Sequence, residues 1–479
     1  MKESKLVKLL QKLDKAEIKR FGEFVNSPYY NKNKKNSQIF DSIVKFHPDF
    51  DPDKYSEEEI FKKTFKTKEY DYFAMKNILS DLHDLGLKFL MAEYKGERAL
   101  SKELRMLEML REKQAFDEYK KRLTKVSKKL ETDKIESEFS LEDKLHLIYE
   151  EISYKSITDP NTHFDLKQKE LDLTVNYFLV RILKGYCALL HELKQNNFPF
   201  NFTMIDDISN YLKSHSFEDM PIINMYKNVL FLQQTGDYKY YKILQDIRDK
   251  HFDELNHGDA YMLFVYMRSY TAVSYSEKMD KKYLKDCFEL DKFMHSKGRI
   301  TLGKILYPDF IATVKTAASV DEYEWAEMFM NEMKDELMDD VKDSTLNFSH
   351  GFIEYRKGNL DKAMELIYKS SFNIFIMQIQ VYLMLLRIYY EIGHFEDAIN
   401  LSKTAKGYLK KEIALGAMQN ALKDFFNLTV EMVNLRLSVE NKKDKSYKLD
   451  SIKKKTNDLK YNYFGIKNWL IDQQSKIKI

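Results

Sequence analysis

Few residues of this 479-residue sequence stand in patterns that support metal chemistry, and each pattern is incomplete. Asp49, Asp51 and Asp53 alternate like the first ligands of a calcium loop, but Lys54 replaces the glycine that such a loop needs at its sixth position. His191-Glu192 begins the zinc-binding pattern HExxH, yet no second histidine follows. We therefore expect no metal site, and we interpret the alternating aspartates as a loop before a capped helix.

The sequence also lacks the motifs of common nucleotide-binding and nucleophilic enzymes. No GxGxxG, GxxxxGK(S/T) or GxSxG motif occurs, and Gly303-Lys304 is the nearest approach to a phosphate-binding loop. Cys187 and Cys287 are the only cysteines, and neither belongs to a CxxC pair, so we expect buried free thiols. These observations predict a protein that is not an enzyme and binds no cofactor.

One further pattern could bind a ligand: lysines interleaved with aromatic residues near the end of the sequence. They are Lys453, Lys454, Lys455, Lys460, Tyr461 and Tyr463. Such residues can hold phosphates and stack on bases, which makes nucleic acid a possible partner. The alternative is a solvated helix face followed by a terminal helix around Trp469 that caps the fold.

Charge is unevenly distributed along the chain. The net charge is only +3, but residues 1–40 carry +6 and residues 441–479 carry +7, which leaves −10 on the residues between. The basic N-terminal block could belong to a nucleic-acid-binding module, although no recognition helix is evident. The basic tail could also dock in the acidic body of its own chain, an association that salt would weaken.

The elements that position these residues must be long, because turn-forming residues are scarce. The sequence has 14 Gly and 7 Pro, about 4% of residues, where average usage is about 12%. A sandwich or barrel needs a turn every few residues, and a doubly wound sheet needs glycine at its phosphate-binding turns. We therefore predict an all-α protein.

Apolar periodicity places the helices of the first half of the chain. The predicted helices span 1–25 with a break near Asp14, then 35–46, 70–93, 99–131, 140–156, 164–195 and 204–214. Asp14 with Glu17, and Ser56 with Glu59, are spaced as capping boxes. The turn at Ser27-Pro28-Tyr29-Tyr30-Asn31 is expected to stop one helix and to cap the next.

From about residue 221 the sequence becomes repetitive. Residues 358–366 recur at 393–401, an offset of 35 residues, and weaker copies begin near Asp321 and Gly236. In each clear copy a glycine allows a sharp turn, an aromatic residue or leucine follows, and an alanine permits close approach of the next helix. The first copy contains Gly351, Gly358, Leu360 and Ala363; the second contains Tyr382, Leu385, Tyr389, Gly393, Phe395, Ala398 and Ala405.

This unit resembles the tetratricopeptide repeat, clearly over about 310–408 and loosely over 221–310. Leu386 departs from the pattern, since a small residue is usual there. The resemblance implies a right-handed superhelical solenoid of antiparallel helix hairpins, beside a separate N-terminal helical module. We predict four regions: an N-terminal module (1–95), a long-helix region of possible degenerate repeats (96–220), the solenoid (221–440), and a basic cap or tail (441–479).

Members of this family bind peptides and protein partners in a concave groove. By register, the resemblance places the following side chains in that groove: Lys315, Phe348, Phe352, Tyr355, Arg356, Leu383, Arg387, Tyr390 and Glu391. Phe352 and Tyr355 could equally be core between repeats, whereas the basic residues fit partner or solvent contact better.

The sequence thus favours a non-catalytic adaptor or scaffold that binds a peptide or helix. The alternative is a nucleic-acid- or ribosome-associated regulatory factor that uses the basic N- and C-terminal segments. The N-terminus shows no uninterrupted apolar segment, and no run of 18 apolar residues lacks charge, so we expect a cytoplasmic protein without membrane insertion.

Overall fold

A computed structural model describes residues 4–50, 56–93, 100–132, 137–160, 162–196, 200–298, 304–410, 416–439, 441–460 and 462–477. Its regular elements are helices, which confirms the all-α prediction. The chain divides into two compact units, Met1–Val126 and Ser127–Ile479.

The helices before residue 200 form the first unit and the beginning of the second. They are α1 (Lys5–Leu10), α2 (Lys15–Val25), α3 (Lys34–Ile43), α4 (Glu57–Phe65), α5 (Tyr72–Glu93), α6 (Leu100–Glu112), α7 (Phe116–Thr132), α8 (Glu138–Thr158) and α9 (Phe164–Asn196).

The rest of the second unit continues the helical pattern. Its helices are α10 (Ile205–Ser214), α11 (Pro221–Thr235), α12 (Tyr238–His251), α13 (His257–Lys278), α14 (Lys281–Ser296), α15 (Tyr307–Ser319), α16 (Tyr323–Met333), α17 (Asp339–Lys357), α18 (Leu360–Tyr368), α19 (Phe375–Ile392), α20 (Phe395–Leu409), α21 (Gly416–Leu437), α22 (Lys442–Asn457) and α23 (Ile466–Ser475). A 3-10 turn, Tyr463–Gly465, precedes α23.

Local capping chemistry sets the helix starts of the first unit. Asp14 with Glu17 and Ser56 with Glu59 form the expected capping boxes, which satisfy backbone N–H groups at the starts of α2 and α4. At the turn between α2 and α3, the Asn31 side-chain amide donates to the carbonyl oxygen of Val25 at 2.8 Å. This turn therefore follows the end of α2 as its sequence predicts, whereas the N-cap of α3 is Asn33, two positions beyond the predicted turn.

The helix predicted over 99–131 is wrong as a single element. The chain breaks between α6 and α7, where Gln114 adopts a left-handed conformation with φ 55°. The acidic residues Asp117 and Glu118 then lie in the first turn of α7, where they complement the helix dipole.

Successive helices of the second unit pack in pairs: α11 with α12, α13 with α14, α15 with α16, α17 with α18, α19 with α20, and α21 with α22. The turns inside the first five pairs each contain one residue with positive φ: Gly236, Met279, Asp321, Gly358 and Gly393. A single left-handed residue ends the first helix and lets the chain reverse direction.

Close approach of α17 and α18 depends on a residue without a side chain. A Cβ on Gly351 would lie 2.8 Å from Ile367 Cδ1 and 3.3 Å from the backbone oxygen of Ala363. The small residue that the repeat pattern places here is therefore required by packing.

One helix in the described part of the chain is long and apolar enough to cross a membrane. It is the stretch Phe164–Leu193 of α9, with mean hydropathy 1.3 over its most apolar window. This helix packs against α8 and α11, and Val180, Leu183 and Cys187 on it are buried. A buried core helix can have the same length and apolar composition as a membrane-spanning helix, so these two properties of α9 do not establish a membrane span.

Candidate functional site

Six of the nine predicted groove residues come together on one surface of the second unit. Lys315 lies on α15, Phe352 and Tyr355 lie on α17, and Arg387, Tyr390 and Glu391 lie on α19. Residues three or four positions apart share a face of a helix, so α17 and α19 present these side chains together. We call this surface, with Ser276 of α13 and Phe425 of α21, the first-helix face, because each residue lies on the first helix of a pair.

The first-helix face is occupied by the end of the same chain. Residues 462–477, here called the C-terminal segment, run back from α22 along it. Arg387 Nη2 donates to the backbone oxygen of Phe464 at 2.8 Å, and Trp469 Nε1 donates to Glu391 Oε1 at 2.6 Å. Ser276 Oγ donates to the backbone oxygen of Asn462 at 3.1 Å. The segment therefore reaches from α21 to α13 and is held by directed hydrogen bonds.

Apolar packing adds to these hydrogen bonds. The Trp469 ring meets the rings of Tyr390 and Phe425 edge-on, with centroids 5.3 and 5.6 Å apart. Ile466 and Leu470 of the same segment are fully buried. Such aromatic contacts combine a large buried area with a preferred ring geometry.

Lys315 sits in an environment that disfavours its charge. Its Nζ lies 2.6 Å from Gln380 Oε1 and about 5.5 and 5.8 Å from the ring centroids of Phe352 and Phe464. Burial lowers the pKa of Lys315 to about 7, and the positive charge of Arg387 contributes.

Glu391 accepts hydrogen bonds both from the first-helix face and from the C-terminal segment. Its Oε1 accepts from Tyr355 Oη at 2.6 Å as well as from Trp469. Burial, followed by the charge of Glu391, raises the pKa of Tyr355, which therefore stays a hydroxyl donor. Burial also lowers the pKa of Arg387, and its Nε has no hydrogen-bond partner in the described structure.

Three predicted groove residues lie elsewhere. Phe348 and Leu383 are buried among the core side chains of the second unit, and their assignment to a groove stays a prediction. Arg356 is exposed, but its Nε donates to the backbone oxygen of Ala318 at 3.3 Å, at the turn between α15 and α16. Each of the three lies four positions from a residue of the first-helix face, so helical register alone does not separate them from that face.

The candidate nucleic-acid residues divide between two environments. Lys453 and Lys454 are exposed on α22, and Lys455 pairs with Glu431 of α21 at 2.8 Å. Lys460 is exposed in the following loop, whereas Tyr463 is only partly exposed. Tyr461 lies outside the described residues.

Sequence reasoning missed two residues of the first-helix face, Ser276 and Phe425, and it missed Gln380, whose Oε1 accepts from Lys315 of that face. Gln380 lies seven residues before Arg387, and Glu391 lies four residues after it, so all three share one face of α19. That spacing could have identified Gln380. Phe425 and Ser276 belong to α21 and α13, where no clear repeat copy marks the register.

Other parts of the molecule offer little chemistry. A cleft of about 410 Å³ is lined by residues of α18, α19 and α20, among them Tyr368, Tyr389 and Asp397. Within the described ranges, no three His, Cys, Asp or Glu side chains gather as metal ligands. Cys187 and Cys287 are buried free thiols, as expected, and burial raises the pKa of both, that of Cys287 to about 11.

The segment around Gly303-Lys304 lacks the context of a phosphate-binding loop. Gly298 has the required glycine spacing, but the buried Ile305 stands where a hydroxyl residue would bind magnesium. The preceding element is the helix α14, not a strand. Gly303 itself, like Asp51 and Asp53 of the calcium-like pattern, lies outside the described residues.

No family model, curated protein or solved structure matches this chain.

Proposed function

We propose that the protein is a non-catalytic adaptor whose first-helix face binds a peptide of another protein. In this proposal the helix pairs form a tetratricopeptide-like solenoid, and the first-helix face is its concave side. One observation carries the proposal: side chains that the repeat register assigns to a ligand groove hold a peptide segment, the chain's own residues 462–477. They do so through a backbone carbonyl, an indole N–H and edge-on aromatic contacts, which are the contacts of peptide recognition.

Affinity capture with cross-linking tests this function. The baits are the full-length protein, the double variant Arg387→Met/Tyr355→Phe, and the control variant Arg356→Ala, which changes an exposed arginine outside the first-helix face. We expect the wild-type and control baits to retain a defined protein whose cross-links map to α13–α21. The double variant should retain at least tenfold less, with unchanged helical content by circular dichroism.

Equal recovery from all three baits would contradict the proposal, as would cross-links confined to other helices. Recovery of nucleic acid instead, lost at high salt and after charge reversal of the α22 lysines, would support the alternative function.

A further inference from the structure

The C-terminal segment is held in a strained conformation. Phe464 has φ 53°, in the left-handed region that a bulky residue rarely adopts, whereas the adjacent Gly465 has φ 70°, which glycine adopts without strain. A bulky residue adopts the left-handed region only when its surroundings impose it. Here the surroundings are Arg387, which holds the Phe464 carbonyl, and Lys315 near the Phe464 ring. The first-helix face therefore stabilises a turn that the segment would leave if released.

When the C-terminal segment is docked, one buried donor of the first-helix face still lacks a hydrogen-bond acceptor in the described structure. Arg387 Nε is buried without a hydrogen-bond partner in the described structure, and Lys315 lies close enough to Arg387 for their charges to repel. A buried donor without an acceptor weakens the docked state. A different peptide that offers one more acceptor beside Arg387 can thus bind this face better than the chain's own segment does.

We propose that the C-terminal segment, residues 462–477, is an internal ligand that closes the first-helix face, and that the external partner is a peptide with the same two anchors. The first anchor is an aromatic residue whose backbone carbonyl accepts from Arg387. The second is an indole five residues later, which donates to Glu391. This inference rests on the proposed function and adds its regulation: the partner binds only when the internal ligand leaves.

Tethering explains why the internal ligand occupies the face. A covalently linked segment acts at an effective concentration in the millimolar range, so a free peptide competes at a disadvantage. Weakening the docked segment without touching the face should remove that disadvantage. Gly465 offers such a change, because a Cβ there meets no atom within 4 Å and acts only through the positive φ.

The experiment measures binding of a fluorescein-labelled synthetic peptide of residues 458–477 to three full-length proteins. These are the wild type, Gly465→Ala and the control Gly407→Ala, where an added Cβ on helix α20 also meets nothing within 4 Å. We expect the peptide to bind Gly465→Ala about fivefold or more tightly than the other two proteins. A peptide with Phe in place of Trp469 should bind Gly465→Ala at least threefold more weakly.

Equal affinity for all three proteins would overturn the inference, because no competition would then exist. Binding to none of them, with a lowered melting temperature for Gly465→Ala, would also overturn it and would assign the segment a purely structural capping role. Concentration-dependent dimers of the wild type by sedimentation velocity would show exchange of segments between copies and overturn the external partner. The affinity capture above decides the proposed function separately, since it depends on partner recovery and not on this peptide.

Discussion

Two neighbouring regions, α22 and the C-terminal segment, contain the same residue types in different proportions and lie in opposite environments. Both contain lysines and aromatic residues, and the sequence assigns parts of both to one nucleic-acid surface. On α22, only Leu449, Ile452 and Thr456 are buried, and Tyr447 is 78% exposed. In the C-terminal segment, Trp469 is 7% exposed.

The difference teaches that both composition and spacing separate these regions, because α22 is richer in lysine and its apolar residues are fewer. The apolar residues of α22 form one narrow stripe against α21, so its lysines remain in solvent. In α23, Ile466, Trp469, Leu470 and Gln473 recur three and four positions apart and form a wider buried face. The predictions below test whether the energetic roles of the two regions differ as their environments do.

Removing the buried aromatic ring should have the largest effect. Trp469→Ala deletes the contacts with Tyr390 and Phe425 and the hydrogen bond to Glu391, so we expect a loss of about 3–5 kcal/mol in the free energy of unfolding. The matched control on α22 is Tyr447→Ala, which should change stability by less than about 0.5 kcal/mol. Urea denaturation followed by circular dichroism measures both, and similar midpoint shifts for the two variants would refute the contrast.

The carboxylates that bind the two regions, Glu391 of α19 and Glu431 of α21, should differ in their contribution to stability in the same direction but by a smaller amount. Glu391→Gln removes the charge that Arg387, Tyr355 and Trp469 face, and charge-assisted hydrogen bonds become neutral ones, so we expect a loss of about 1–3 kcal/mol. The control Glu431→Gln breaks an exposed pair with Lys455 and should cost less than about 0.5 kcal/mol. A greater loss for Glu431→Gln would show that the first-helix face is not the stronger electrostatic site.

The positions of the hairpin turns show how far the sequence predicts the fold. Gly236, Gly358 and Gly393 mark three turns directly, because glycine adopts positive φ without strain. The same conformation occurs at Met279 and Asp321, residue types that carry no such signal. The intervals between these turns also vary from 35 to 43 residues, so the sequence shows a regular pattern only where glycine and a constant interval coincide.

The first-helix face was predictable in part for a similar reason. Register within one helix identified Arg387, Tyr390 and Glu391, because helical spacing is fixed by local geometry. The docking of the C-terminal segment on that face depends on long-range contacts, such as the hydrogen bond between Arg387 and Phe464, which are 77 positions apart. No local pattern specifies such a pairing, although the opposite charges of tail and body made docking a possibility.

The lysine that the C-terminal segment covers, Lys315 of α15, should differ from the lysines of α22 in its response to pH. The pKa of Lys315 is about 7 in the folded protein, below its unfolded value of about 10.4. The unfolded chain therefore binds more protons between these values, and stability should rise with pH over that range, by at most about 1.4 kcal/mol per pH unit. Comparing urea midpoints at pH 7 and 9, we expect Lys315→Met to lose this rise and Lys454→Met on α22 to keep it. An unchanged rise in Lys315→Met would assign the pH dependence to other groups.

The smallest effect on stability should come from the lysines of α22. Charge reversal of Lys453 and Lys454 to Glu changes two exposed side chains, so the urea midpoint should stay within the equivalent of about 0.5 kcal/mol. Binding of the segment peptide to Gly465→Ala should also be unchanged, because neither lysine contacts the first-helix face in the described structure. Any RNA binding at low salt should weaken, and its salt dependence should become shallower as phosphate contacts are lost. If the reversal instead abolished peptide binding and spared RNA binding, α22 and the C-terminal segment would have to act as one surface, and the contrast between them would fail.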